Sequence, residues 1–274
     1  MGKSRWMWGL VGIISLLSTL IFIFGFGYAV KDILNPTAVS VGDGPELNVL
    51  EEPLVTKEEI HIVALGDSLT RGTGDETGKG YVGHLLEKLA KASGKKVKLV
   101  GNLAVNGYRS DQLLYDLHNK KGEAYALKQA NLVLLTIGGN DLSYAALEQS
   151  GGGNNLNEVS DIDPKKLEKQ LKEPKENVKK IIEKIGKINP RAKIVYIGLY
   201  NPYYEADESK RSSLVIQQWN SGVFETLNQF PNMTLVPTQD LFEGQPTEYL
   251  AGDQFHPNGA GYERIADRVV QALE

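Results

Sequence analysis

Three side chains in this sequence have the types and spacing to activate a hydroxyl group. Ser68 stands in "GDSL", where the apolar run "HIVAL" (61–65) stops at Gly66 and hydroxyls, glycines and carboxylates follow. A serine hydroxyl is a weak nucleophile until a base hydrogen-bonded to it takes its proton. Of the four histidines, His61 lies inside a strand pattern, His84 on an amphipathic helix and His118 at a helix end, positions that structure alone accounts for. His256 differs. It sits in a polar loop, "AGDQFHPNGAG", just before the last helical pattern and three residues after Asp253. That spacing lets one turn aim both side chains the same way, so that the carboxylate can hold the imidazole in the tautomer a base requires. Taken alone, an Asp-x-x-His is equally a surface turn.

The junction after the first strand admits a second chemistry, a phosphate cradle. A nucleotide P-loop requires G-x-x-x-x-G-K-[ST]. Here three residues separate Gly74 from Gly78, and Gly80 follows Lys79 where a hydroxyl residue belongs, so the motif fails. A flavin-type loop built on Ser68, Thr70, Thr73 and Thr77 fits the same stretch, but it leaves other polar segments without a purpose. "GNLAVNGYRS" (101–110) and "TIGGNDL" (136–142) each follow a strand pattern. They offer a close-approach backbone N–H at Gly107 and a side-chain amide at Asn140, the kinds of donor that stabilise an oxyanion in acyl transfer. Each is an ordinary turn by itself; together with Ser68 and His256 they make complementary chemistry.

A scaffold must bring these blocks together. Strand patterns at 61–65, 96–100, 131–137, 193–199 and 234–237 alternate with helical patterns near 81–93, 109–128, 164–188, 208–229 and 258–273. Near-continuous apolar strands separated by helices predict an α/β fold, a five-stranded parallel sheet covered on both faces. Right-handed crossovers then give a three-layer α/β/α sandwich. Ligands of such sheets bind outside the carboxyl ends of the strands, which is where Ser68, Gly107 and Asn140 fall. Asp163 is placed to cap the 164–188 helix, and Pro174 is expected to kink or split it. Its lysines and glutamates read as a solvated face of mixed charge. Two segments are expected to shape a pocket: the glycine-containing stretch 144–161, read as a mobile flap, and "LYNPYYEADE" (199–208), with three tyrosines around a proline.

In order and spacing, "GDSL" (66–69), "NLAVNG" (102–107), "GGND" (138–141) and "DQFH" (253–256) resemble the GDSL-type, or SGNH, hydrolase family across nearly all of 59–274. The resemblance implies a flavodoxin-like SGNH hydrolase fold with Ser68 as nucleophile, His256 as base and Asp253 as its orienting partner. It also implies an oxyanion hole made of the Ser68 and Gly107 N–H groups and the Asn140 amide. Asp67 and Asp141, beside these residues, are expected to hold loops in place. The implied enzyme is a serine esterase or lipase-like acylhydrolase that forms an acyl-enzyme and needs no cofactor and no metal. The competing readings are a flavin-binding electron carrier and a catalytically silent, membrane-anchored envelope-binding module on the same fold.

The N-terminus adds a location. Residues 6–30 are 25 consecutive residues without a charge, preceded by Lys3 and Arg5. About 20 apolar residues span a bilayer as a helix, and Trp6, Trp8 and Tyr28 suit the interfacial belts. The segment is read as an uncleaved transmembrane anchor, being longer than a signal-peptide core. Residues 1–5 then form a cytoplasmic tail, 31–58 a linker rich in Pro, Gly and acids, and 59–274 the catalytic domain outside the membrane. The chain has a net charge of −4 and no cysteine. It carries no basic stripe, so a nucleic-acid partner is not expected. Location at the cell envelope favours lipid acyl esters or O-acylated glycans as substrates.

Overall fold

The computed structural model describes residues 3–34, 58–149, 163–205, 207, 209–244 and 246–273. The chain divides into two compact units, Met1–Leu47 and Asn48–Glu274. The described residues of the first form one helix, α1 (Lys3–Leu34). Within it Leu10–Tyr28, 19 residues, is long and apolar enough to cross a membrane, a length and composition that a signal sequence near an N-terminus shares. Of the expected linker 31–58, residues 31–34 belong to α1 and 35–57 lie outside the described residues.

The second unit alternates strands and helices: β1 (Glu59–Gly66), α2 (Ser68–Arg71), α3 (Gly80–Ser93), β2 (Lys96–Asn102), α4 (Ser110–Asn119), α5 (Lys121–Gln129), β3 (Leu132–Thr136) and α6 (Gly139–Gln149). There follow α7 (Pro164–Gln170), α8 (Lys172–Ile188), β4 (Lys193–Ile197), α9 (Arg211–Leu227), β5 (Met233–Val236), α10 (Gln239–Phe242), α11 (Pro246–Tyr249) and α12 (Gly259–Leu273). The five strands form one sheet in the order β2-β1-β3-β4-β5, every neighbouring pair parallel. This is the expected three-layer sandwich.

The period-2 alternation of the strands divides the core in two. Ile62, Ala64, Leu132, Leu134, Val195 and Ile197 face one cluster, which α3 and α12 cover with Tyr81, Leu85, Tyr262 and Ile265. Their strand neighbours Val63, Leu65, Val133, Leu135, Ile194 and Tyr196 face the other, under α4, α5, α8 and α9. Burying one such side chain stabilises the fold by about 1.5–3 kcal/mol. The edge strand β2 departs from the expected apolar run. Lys98 and Lys96 reach Glu59 on β1 at 2.6 and 3.4 Å, and such charges keep an edge from pairing with other chains.

The helix expected over 164–188 is two helices. Asp163 caps the first by accepting from Lys165 N at 2.9 Å, and the break falls at Leu171 rather than at Pro174. Proline has no N–H and its ring collides with the carbonyl four residues back. The chain therefore interrupts before it, and Pro174 is left in the first turn of α8, where its missing donor costs nothing. The segment expected over 109–128 likewise breaks at Lys120, between α4 and α5. A helix that the sequence pattern did not mark, α6, follows β3. Of the proposed flap 144–161, residues 144–149 are helical and 150–162 lie outside the described residues.

Candidate active site

Ser68 is the first residue of α2, immediately beyond the end of β1. The turn that puts it there needs glycine at position 66. With φ at +133°, a Cβ on Gly66 would lie 1.9 Å from the carbonyl oxygen of Thr136 on the neighbouring strand. Asp67 caps the helix, its Oδ1 accepting from Leu69 N at 3.1 Å and from the Thr136 hydroxyl at 2.7 Å. Thr136 in turn lies 2.8 Å from Thr70 Oγ1, itself 2.6 Å from the Tyr81 hydroxyl. An ionised carboxylate only accepts, so the protons of this buried chain run one way: Tyr81 to Thr70 to Thr136 to Asp67. Burial pushes the Asp67 carboxyl above its ordinary value, against the hydrogen bonds from Thr136 and Leu69.

This network also answers the phosphate reading. Thr70 Oγ1 is taken by Tyr81 and Thr136, Thr73 Oγ1 donates to Asn106 at 3.1 Å and Thr77 Oγ1 to Asp75 at 2.8 Å. The hydroxyls diverge into separate partners instead of converging on an anion. Among the described residues, no group of three or more His, Cys, Asp or Glu side chains is placed to hold a metal ion.

His256 reaches the same point from the far end of the chain. Its loop is pinned by a bridge between Leu250 and Pro257 and by Ala251 N donating to the His256 carbonyl at 2.8 Å. Inside it Gln254 adopts φ +56°, a left-handed conformation that a non-glycine residue holds only where its surroundings fix it. The fold-back lets Asp253 Oδ1 accept from the N–H groups of Phe255 and His256 at 3.0 and 2.9 Å. Its Oδ2 then lies 2.6 Å from His256 Nδ1, and His256 Nε2 lies 2.8 Å from Ser68 Oγ. Partial burial opposes the charge on Asp253, but the imidazole and the two backbone donors outweigh it and hold the carboxyl below its ordinary value. Because that carboxylate accepts, Nδ1 carries the ring proton; Nε2 is left with a lone pair directed at the serine hydroxyl. The arrangement can draw a proton from Ser68.

Asn140, second residue of α6, donates through Nδ2 to the Tyr108 carbonyl at 2.9 Å. A primary amide has two N–H groups, so one is left for a ligand. Next to it Asp141 accepts the Ser110 N–H at 3.0 Å and the Ser110 hydroxyl at 2.7 Å, both residues buried. These bonds clasp the start of α6 to the loop after β2. That loop runs beside the end of β1, with Leu103 N donating to the Ala64 carbonyl and Val105 N to that of Gly66. Gly107 is at its exposed tip, with φ +77°. Asp67 and Asp141 thus hold loops, as expected. Arg109 pairs with Asp111 at 3.3 Å and covers the Tyr144 ring at 4.9 Å.

Ser68, Asn140 and His256 line one cavity of about 140 Å³. Asp253 stands behind His256, and Gly107 is not among the lining residues. The other walls are largely apolar: Leu142 and Ala146 from α6, Leu167 from α7, Val215 and Ile216 from α9. Tyr200 and Tyr203, two of the three tyrosines after β4, complete it together with Phe255. Of the walls, the sequence had pointed to the stretch 144–161, which holds Ala146, and to 199–208, which holds Tyr200 and Tyr203, but not to Leu142, Leu167, Val215, Ile216 or Phe255. Nothing in their residue type marks them, and only the placement of α6, α7, α9 and the His256 loop around one cavity turns them toward a ligand.

Residues 64–264 match the model of the GDSL-like lipase/acylhydrolase family. This chain belongs to that family. The GDSL match covers the whole rim just described, from the last residues of β1 to the middle of α12. Among its relatives is the uncharacterized protein YpmR of Bacillus subtilis (strain 168), 37% identical over 222 residues, which are 80% of this chain and 83% of YpmR. A second is the spore germination lipase LipC of Bacillus licheniformis, 27% identical over 216 residues, 77% of this chain and 94% of LipC. The crystal structure of the lipase Lip_vut3 from a goat rumen metagenome superposes with a TM-score of 0.66 at 26% identity, covering 78% of this chain and all (100%) of that one. A GDSL-family ester hydrolase is the function class these relationships support.

Proposed function

We propose that this chain is a serine acylhydrolase that cleaves carboxylic esters through an acyl-enzyme on Ser68. The observation that carries the reading is the unbroken hydrogen-bond chain from Asp253 through His256 to Ser68, at 2.6 and 2.8 Å. Ser68 Oγ attacks the ester carbonyl as His256 Nε2 takes its proton, and Asp253 stabilises the imidazolium that forms. The tetrahedral oxyanion is received by the N–H groups of Ser68 and Gly107 and by the free N–H of the Asn140 amide. Collapse expels the alcohol, protonated by His256; water then repeats the sequence and releases the acid. Relatives named as lipases support ester substrates, here lipid acyl esters or O-acylated glycans.

The catalytic domain, 59–274, works outside a membrane that residues 6–30 span. Lys3 and Arg5 before the span keep the N-terminus in the cytoplasm.

Hydrolysis of chromogenic acyl esters by the wild type and by Ser68→Ala tests the mechanism. Turnover is expected to fall by roughly 10⁴- to 10⁶-fold in the variant. A fluorophosphonate should add once to the wild type, on Ser68, and not to the variant. Equal and negligible rates in both, with no adduct, sink the enzyme reading in favour of a silent binding module.

A further inference from the structure

The cavity onto which Ser68 and His256 open has a chemistry and a length of its own. Ser143, Tyr203 and Arg211 contribute polar groups to its lining, and two further ones, the Tyr200 and Ser212 hydroxyls, are already engaged. The Tyr200 hydroxyl donates to the Phe255 carbonyl at 2.5 Å. Ser212 Oγ donates to Asp207 at 2.6 Å and accepts from Asn201 Nδ2 at 2.8 Å. A sugar ring in the cleft would bring hydroxyls to a wall of Leu142, Val215 and Ile216 and leave them unpaired, which is costly. An alkyl chain leaves water for that wall favourably.

Helix α6 supplies the ruler. Asn140, Ser143 and Ala146 all line the cavity, one helical turn apart. At a rise of about 1.5 Å per residue, the six steps from Asn140 to Ala146 cover about 9 Å. Beyond Ala146, α7 lies against the end of α6, with Gln149 and Gln170 hydrogen-bonded at 2.8 Å, and Leu167 of α7 enters the lining. An extended alkyl chain advances about 1.3 Å per carbon, the projection of a bond of about 1.5 Å, so this length holds about seven carbons.

We propose that the cleft between α6 and α9 is an acyl site for unbranched chains of about six to eight carbons, and that Ala146 and Leu167 set that limit. The proposal rests on the ester-hydrolase reading of Ser68, and the test separates the two. Full-length protein in phospholipid nanodiscs would be assayed on p-nitrophenyl acetate, butyrate, octanoate and laurate, with Ser68→Ala beside it. The expected kcat/KM peaks at octanoate. Ala146→Phe, which sets a ring in the cleft, should lower the octanoate-to-acetate ratio of kcat/KM by roughly tenfold or more. Leu167→Ala should move the optimum toward laurate.

A Ser68-dependent enzyme that prefers acetate, with neither variant altering the preference, overturns the acyl site and leaves the ester hydrolase standing. Hydrolysis that is indifferent to Ser68→Ala at every chain length overturns the hydrolase reading instead. Should Ala146→Phe not fold, Leu167→Ala decides, and an unmoved optimum overturns the proposal. Octanoyl glycerol and octanoyl glucose then assign the acyl group to a lipid or a glycan source; either, cleaved faster than its acetyl counterpart, fits the proposal.

Discussion

Asn140 divides one amide between two duties. One N–H is committed to the Tyr108 carbonyl, which fixes the plane of the group before any substrate arrives; the other is the proposed oxyanion donor. Asn140→Ala should therefore reduce kcat by about 100- to 1,000-fold with little change in KM, since the lost bond forms mainly in the transition state. Steady-state kinetics reads this directly, and wild-type turnover in the variant would remove Asn140 from the mechanism. At this scale the sequence was informative where chemistry resides in residue type and short spacing: the Asp253–His256 hydrogen bond spans three residues. It was silent where a side chain's neighbour is distant. Nothing in the spacing foretells that Gly107 stands outside the cavity lining, or that Tyr200 and Phe255 meet across the site.

Among the elements, α5 holds a carboxylate with an unusual burden. Glu123 is buried, and its Oε2 meets no hydrogen-bond partner. Burial first, and then the nearby charge of Asp116, push its pKa up from 4.5 to about 7, with Lys120 opposing. In the folded protein Glu123 keeps its proton across a window where the unfolded chain has lost it. Stability attributable to this group is thus full below about pH 4.5 and is lost as pH rises through about 7. Glu123→Gln cannot ionise, so its melting temperature should gain on the wild type between pH 5 and pH 8; a gap that stays constant across that range contradicts the assignment. The element boundaries teach a related lesson. The five strands were legible from their apolar runs, and the sandwich followed. Helix α6 was not, because the glycines beyond it at 151–153 and the double glycine at its start read as loop. Yet Gly138 is small for a packing reason: a Cβ there would sit 2.2 Å from the Trp219 ring. Close approach of a helix and a strand end looks the same in sequence as a flexible turn.

For the whole molecule, the N-terminal helix and the hydrolase domain make separate demands. The 32-residue α1 exposes Trp6, Phe22, Phe24 and Tyr28, each more than 70% accessible, surface that only lipid or another apolar phase would cover. Full-length protein should sediment with membranes, withstand high salt and alkaline carbonate, and come off with detergent, while its intact mass retains residues 1–30. Release by salt alone, or a mass lacking that segment, would speak for a cleaved leader. The domain it precedes closes upon itself late. Ser68 and His256 are 188 residues apart in the chain and meet only when the C-terminal loop has docked. Synthesis proceeds from the N-terminus, so the proposed nucleophile emerges long before its proposed base. On the proposed mechanism, a copy that ends before His256 would have a serine without its base, and should stay inert until the C-terminal loop has been made and has docked.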